Sequence, residues 1–74
     1  MEVNVKLFAT LRDGRFKQQT VELSDHSKVA DVIGKFDLPF EEVAISMVNG
    51  RDVDNDYQLQ NGDTLALFPP VGGG

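Results

Sequence analysis

Residues 2–9 alternate. Val3, Val5, Leu7 and Ala9 fall on one side, and Glu2, Asn4, Lys6 and Phe8 on the other, which is the period-two pattern of a half-buried strand. The turn pair Asp13-Gly14 interrupts the stretch from Thr10 to Gln19, and Thr20–Leu23 supplies a second strand able to pair with the first as a hairpin. The period then changes. After the polar run Ser24-Asp25-His26-Ser27, the apolar residues Val29, Val32, Ile33 and Phe36 follow at i, i+3, i+4 and i+7, with Ser27 placed to act as N-cap. This spacing predicts one amphipathic helix near residues 27–36. Gly34 lies inside it at a cost of about 1 kcal/mol against alanine, and Pro39 stops it.

Val43–Val48 reads as a third strand. Asn49-Gly50 follows, the pair best suited to a type I′ hairpin turn because both central positions need positive φ, and a short return strand is expected near Arg51–Val53. Asn61-Gly62-Asp63 makes another turn before the last strand, Thr64–Phe68. Pro69-Pro70 cannot donate to a ladder and ends it. A hairpin, a crossing helix and further strands fit a mixed sheet with one helix packed across one face, an α+β arrangement of the β-grasp, or ubiquitin-like, kind. The expected organisation is one domain over residues 1–70 and a flexible Gly-rich tail over 71–74.

Composition narrows the function. With 74 residues, 41% apolar and 26% charged, the chain supports a single folded core but is too short to enclose a deep active-site pocket as well. It holds no apolar run long enough to cross a membrane, and its start does not read as a signal peptide, so a cytoplasmic address is expected. Cysteine is absent, which excludes a disulfide framework, a thiolate zinc site and a cysteine nucleophile. The net charge is −5, and it is uneven: acids and bases balance over residues 1–40, whereas Glu41, Glu42, Asp52, Asp54, Asp56 and Asp63 face only Arg51 in the remainder. That half would repel a phosphate backbone, so nucleic acid is not an expected partner. The charge serves solubility, or it meets a basic partner.

Catalytic constellations are missing. The one histidine, His26, sits in a polar turn and reads as a surface residue; without cysteine it has no nucleophile to activate. Asp52, Asp54, Asp56 and Asp63 imitate the spacing of a calcium loop, but Tyr57 stands where that loop needs glycine and Asp63 where it needs a bidentate glutamate. The expectation is a solvated acidic loop and no metal.

The tail carries the chemical signal. In Phe68-Pro69-Pro70-Val71-Gly72-Gly73-Gly74, two prolines stiffen the exit from the sheet, and glycines without Cβ atoms make a thread narrow enough for a confined site. The six residues beyond Phe68 reach at most roughly 20 Å. Strand parity adds a surface. With Val3, Val5, Leu7, Leu65 and Leu67 turned to the helix, Phe8, Ala66 and Phe68 lie on the opposite face. The first and last strands are neighbours in a β-grasp sheet, so the two phenylalanines form an apolar patch beside the tail. Taking Ile45 and Met47 as core residues places Val48 on that patch too.

Taken together, Leu7-Phe8-Ala9-Thr10-Leu11-Arg12, Val48-Asn49-Gly50, Asn61-Gly62-Asp63 and Phe68-Pro69-Pro70-Val71 closing on Gly73-Gly74 resemble the MoaD/ThiS family of ubiquitin-like sulfur carriers, and within it the MoaD branch. Gly72 departs from the pattern, since another small residue is usual there. The resemblance implies that the chain has no enzymatic activity of its own. It implies that the Gly74 carboxylate is adenylated with ATP by a ubiquitin-activating-like adenylyltransferase of the MoeB type, and that a sulfide or persulfide sulfur then displaces AMP to leave a thiocarboxylate. Val71, Gly72 and Gly73 would thread the tail into partner sites, and Phe8, Val48, Phe68, Pro69 and Pro70 would dock them. A large subunit of the MoaE type would receive the sulfur for molybdopterin synthesis. No bound cofactor is expected, and the free chain is expected to be monomeric. A ubiquitin-like protein modifier joined to lysine through Gly74, a carrier for thiamin or cysteine synthesis, and a plain interaction module with an inert tail remain as alternatives.

Overall fold

The computed structural model describes residues 1–70 and contains five strands, one α-helix and two single-turn 3₁₀ segments. The strands are β1 (Glu2–Leu7), β2 (Gln18–Glu22), β3 (Ile45–Val48), β4 (Arg51–Val53) and β5 (Thr64–Phe68), and the helix, α1, is Val29–Lys35. They form one mixed sheet in the order β2-β1-β5-β3-β4. β1 and β5 run parallel at its centre, and every other pairing is antiparallel. This is the β-grasp arrangement expected from the switch in hydrophobic period.

The core lies between α1 and one face of the sheet. Val3, Val5 and Leu7 from β1, Leu65 and Leu67 from β5, and Val29, Val32 and Ile33 from α1 are fully buried there, joined by Leu11, Leu38 and Leu59 from the connections. Each side chain of this kind contributes about 1.5–3 kcal/mol when removed from water. Phe36 is half-buried at the end of the helix and meets Phe16 edge-on, with centroids 4.8 Å apart.

Four local features differ from the sequence reading. β1 stops at Leu7 instead of running through Ala9: Ala9 has φ +51°, is exposed, and opens the 3₁₀ turn Ala9–Arg12 that drives Leu11 into the core. The helix is capped at Lys28, not Ser27. The Asp31 carboxylate reaches back to accept the Lys28 N–H at 2.8 Å, while the Ser27 hydroxyl donates to the Ser24 carbonyl. β2 begins at Gln18, earlier than Thr20, and β3 begins at Ile45, later than Val43. The hairpin between β3 and β4 follows the expected chemistry, with φ +52° at Asn49 and +84° at Gly50.

Candidate functional site

Among the described residues no second α-helix covers the face of the sheet away from α1, and strand register decides what it displays. Lys6 lies opposite Gln18 on one side and Ala66 on the other; Ala66 lies opposite Met47, and Met47 opposite Asp52. One row therefore crosses the sheet from a basic to an acidic residue. The next row is apolar. Ile45 is opposite Phe68, and Phe68 is beside Phe8, which continues β1 past its last ladder residue.

Phe8 and Phe68 stack. Their ring centroids are 4.4 Å apart with 13° between planes, an arrangement that contributes about 0.5–1.5 kcal/mol beyond burial. Both backbones are pinned: the Phe8 N–H donates to the Leu67 carbonyl at 3.2 Å, and the Phe68 carbonyl accepts from the Ala44 N–H at 2.9 Å. Both side chains are half-exposed, as are Ala66, Met47 and Pro69, while Ile45 and Pro70 are exposed. The Arg12 guanidinium lies 5.3 Å from the Phe8 centroid, and its Nε donates to the Leu7 carbonyl at 2.7 Å. That places a fixed cation at the rim of the aromatic pair.

Of the residues expected on this surface, Phe8, Phe68, Pro69 and Pro70 are brought together at the end of β5 where the chain leaves the sheet. Val48 is not among them. It is 3% exposed and belongs to the core, as does Ser46 at 6%. The parity of β3 is the reverse of the expected one because its register is set by β5: pairing Ser46 with Leu67 and Val48 with Leu65 turns both toward the helix. Ile45 and Met47 take the outer positions that Val48 was expected to share. Val71, Gly72, Gly73 and Gly74, the expected threading and acceptor residues, lie outside the described residues.

The acidic loop also divides. Asp52, Asp54 and Asp56 are exposed beside Tyr57, as expected of a solvated loop. Asp63 is not solvated. It is 8% exposed, and its carboxylate accepts the Gln60 N–H at 2.8 Å and the Asn49 side-chain amide at 3.0 Å. Among the described residues, no cluster of three or more acidic or histidine side chains is placed to hold a metal ion. His26 is exposed, with its ring against the Gln58 amide. No helix among these residues is long and apolar enough to cross a membrane.

The ThiS family model matches residues 5–74. The chain belongs to the ThiS family. Members of this family are small carrier proteins rather than enzymes. A search of curated proteins finds no match. Among solved structures, this ThiS-family chain is similar to a putative molybdopterin converting factor subunit 1 from Pyrococcus furiosus, with 31% identity over 96% of this chain and 99% of that one and a TM-score of 0.76. It is similar to SAMP1 from Haloferax volcanii, with 27% identity over 100% of both chains and a TM-score of 0.78. Subunit 1 in a protein–protein complex of subunits 1 and 2 of the molybdopterin-converting factor from Helicobacter pylori shares the fold, with 23% identity over 100% of both chains and a TM-score of 0.68. The fold is thus one used by ThiS/MoaD-type sulfur carriers and by ubiquitin-like modifiers.

Proposed function

We propose that this chain is a sulfur carrier of the MoaD type. Its Gly74 carboxylate displaces pyrophosphate from ATP in the site of a MoeB-type adenylyltransferase, and hydrosulfide then attacks the acyl carbon and displaces AMP, leaving a thiocarboxylate. The activation is needed because a carboxylate is ionised at neutral pH and is a poor electrophile. The thiocarboxylate end is presented to a MoaE-type large subunit that builds molybdopterin, and the work is done in the cytoplasm. The observation that carries this reading is the Phe8–Phe68 stack at the point where β5 passes into Pro69-Pro70. An apolar docking surface at that point holds the body of the carrier outside a partner while residues 71–74 enter it. The likeness to the putative converting-factor subunit from Pyrococcus furiosus favours the molybdopterin pathway.

Protein modification through Gly74 is the second reading, favoured by the likeness to SAMP1 over the full chain. Intact mass after incubation with the activating enzyme, ATP and a sulfur donor separates the two. The carrier gains the mass difference between sulfur and oxygen; the modifier appears in higher-mass conjugates. Deleting Gly73 and Gly74 should abolish ATP–pyrophosphate exchange and leave the thermal melt almost unchanged. An undiminished exchange rate would overturn activation at Gly74.

A further inference from the structure

Lys6, Phe8, Arg12, Lys17 and Gln18 line a hollow of about 140 Å³ on the outer side of β1 and β2. Three of these five residues are cations, in a molecule whose net charge is −5. None of the three has a carboxylate within salt-bridge distance among the described residues. The Arg12 guanidinium is already oriented by its bond to the Leu7 carbonyl and by the Phe8 ring. The far ends of the same two strands carry Glu2 opposite Glu22, so positive charge is concentrated at one end only. Like charges gathered without partners repel one another, and an incoming anion relieves that repulsion.

The chemistry of the hollow favours carboxylates on a peptide over a phosphate. Phosphate sites are usually built from converging backbone N–H groups or a helix N-terminus. Here the Leu7 N–H is spent on the Lys17 carbonyl, and the residues that line the hollow come from β1, the 3₁₀ turn and the start of β2. Phe8 lines the hollow and stacks on Phe68, so hollow and aromatic patch share one surface. β2 is also an edge strand, with its outer side open to an extended segment.

We infer that the Lys6–Arg12–Lys17 hollow is the seat for an acidic peptide segment of the protein that docks on the Phe8–Phe68 face. This rests on that face being a docking surface. Basic residues at the β1–β2 side and Asp52 at the β4 side then fix the orientation in which a partner lies across the sheet.

The test is an amide NMR titration of the full-length chain with a capped tetra-glutamate peptide, with capped tetra-glutamine and inorganic phosphate at matched ionic strength as comparisons. The tetra-glutamate peptide should move the Lys6, Phe8, Lys17 and Gln18 signals saturably. The double variant Lys6→Gln/Lys17→Gln should weaken that binding about tenfold or more and leave the urea melt in place. Absence of saturable shifts, an equal response to phosphate, or unchanged binding by the double variant would overturn the inference. So would movement of the same signals on deleting residues 71–74, which would make the chain's own end the occupant. Activation of Gly74 plays no part in this titration. A chain that takes the peptide but is never adenylated keeps the hollow's role and loses the carrier reading.

Discussion

Met47 and Val48 are consecutive in β3 and lie on opposite sides of the sheet. Met47 is half-exposed opposite Ala66, and Val48 is buried opposite Leu65. Substituting each by alanine should therefore have opposite consequences. Val48→Ala leaves a void in the core and should cost about 2 kcal/mol in a urea melt, with partner affinity of the folded protein unchanged. Met47→Ala should leave the melt nearly in place and weaken docking. Calorimetric titration alongside the melts checks both, and the reverse pattern would mean that the outer face is not the docking face.

Phe68→Ala removes half of the aromatic stack. Partner binding should fall by about 2 kcal/mol or more, as with other interfacial aromatic anchors. The loss of stability should stay below the roughly 3–5 kcal/mol of a fully buried phenylalanine, because Phe68 is half-exposed. Severe unfolding with unchanged affinity would assign Phe68 to the core.

Asp63→Ala should destabilise the fold by about 1–3 kcal/mol, since it strips the acceptor from the Gln60 N–H and the Asn49 amide. Asn49 in turn accepts the Thr64 N–H at 3.0 Å, which links the β3–β4 turn to the start of β5. Asp54→Ala, in the exposed loop, should leave the urea midpoint almost unchanged. Equal effects from the two variants would contradict the structural role of Asp63.

Gly34→Ala should stabilise the protein by roughly 0.5–1 kcal/mol. Gly34 lies within α1, and a Cβ built there meets nothing within 4 Å. A rise in the thermal midpoint checks it; a fall would require a contact at Gly34 that the structure does not show.

β1 was legible in the sequence because its apolar residues alternate, and β5 because a turn precedes it and two prolines follow it; parity, with the two strands taken as β-grasp neighbours, then placed Phe8 and Phe68 on a common face. β3 was not. Ile45-Ser46-Met47-Val48 is short, and burying isoleucine and methionine looks better locally than burying serine and valine. Pairing with Leu65 and Leu67 overrides that preference, and it is a contact between distant parts of the chain. The same distance hid the hollow, whose cations come from β1, the 3₁₀ turn and the start of β2. Ser27 was misplaced for a different reason. The cap bond comes from Asp31 reaching backward to a backbone N–H that any residue but proline supplies at position 28. The composition of the tail was plain from the sequence, but a run of glycines specifies no geometry of its own.

The position of β5 has a consequence for synthesis on the ribosome. A nascent chain stopped before Thr64 has two hairpins, β1–β2 and β3–β4, that share no strand, because β5 alone lies between β1 and β3. Closing the sheet therefore waits for the segment immediately preceding the glycines. Until that segment is made, the outer face lacks Phe68, and the stacked pair with Phe8 does not exist.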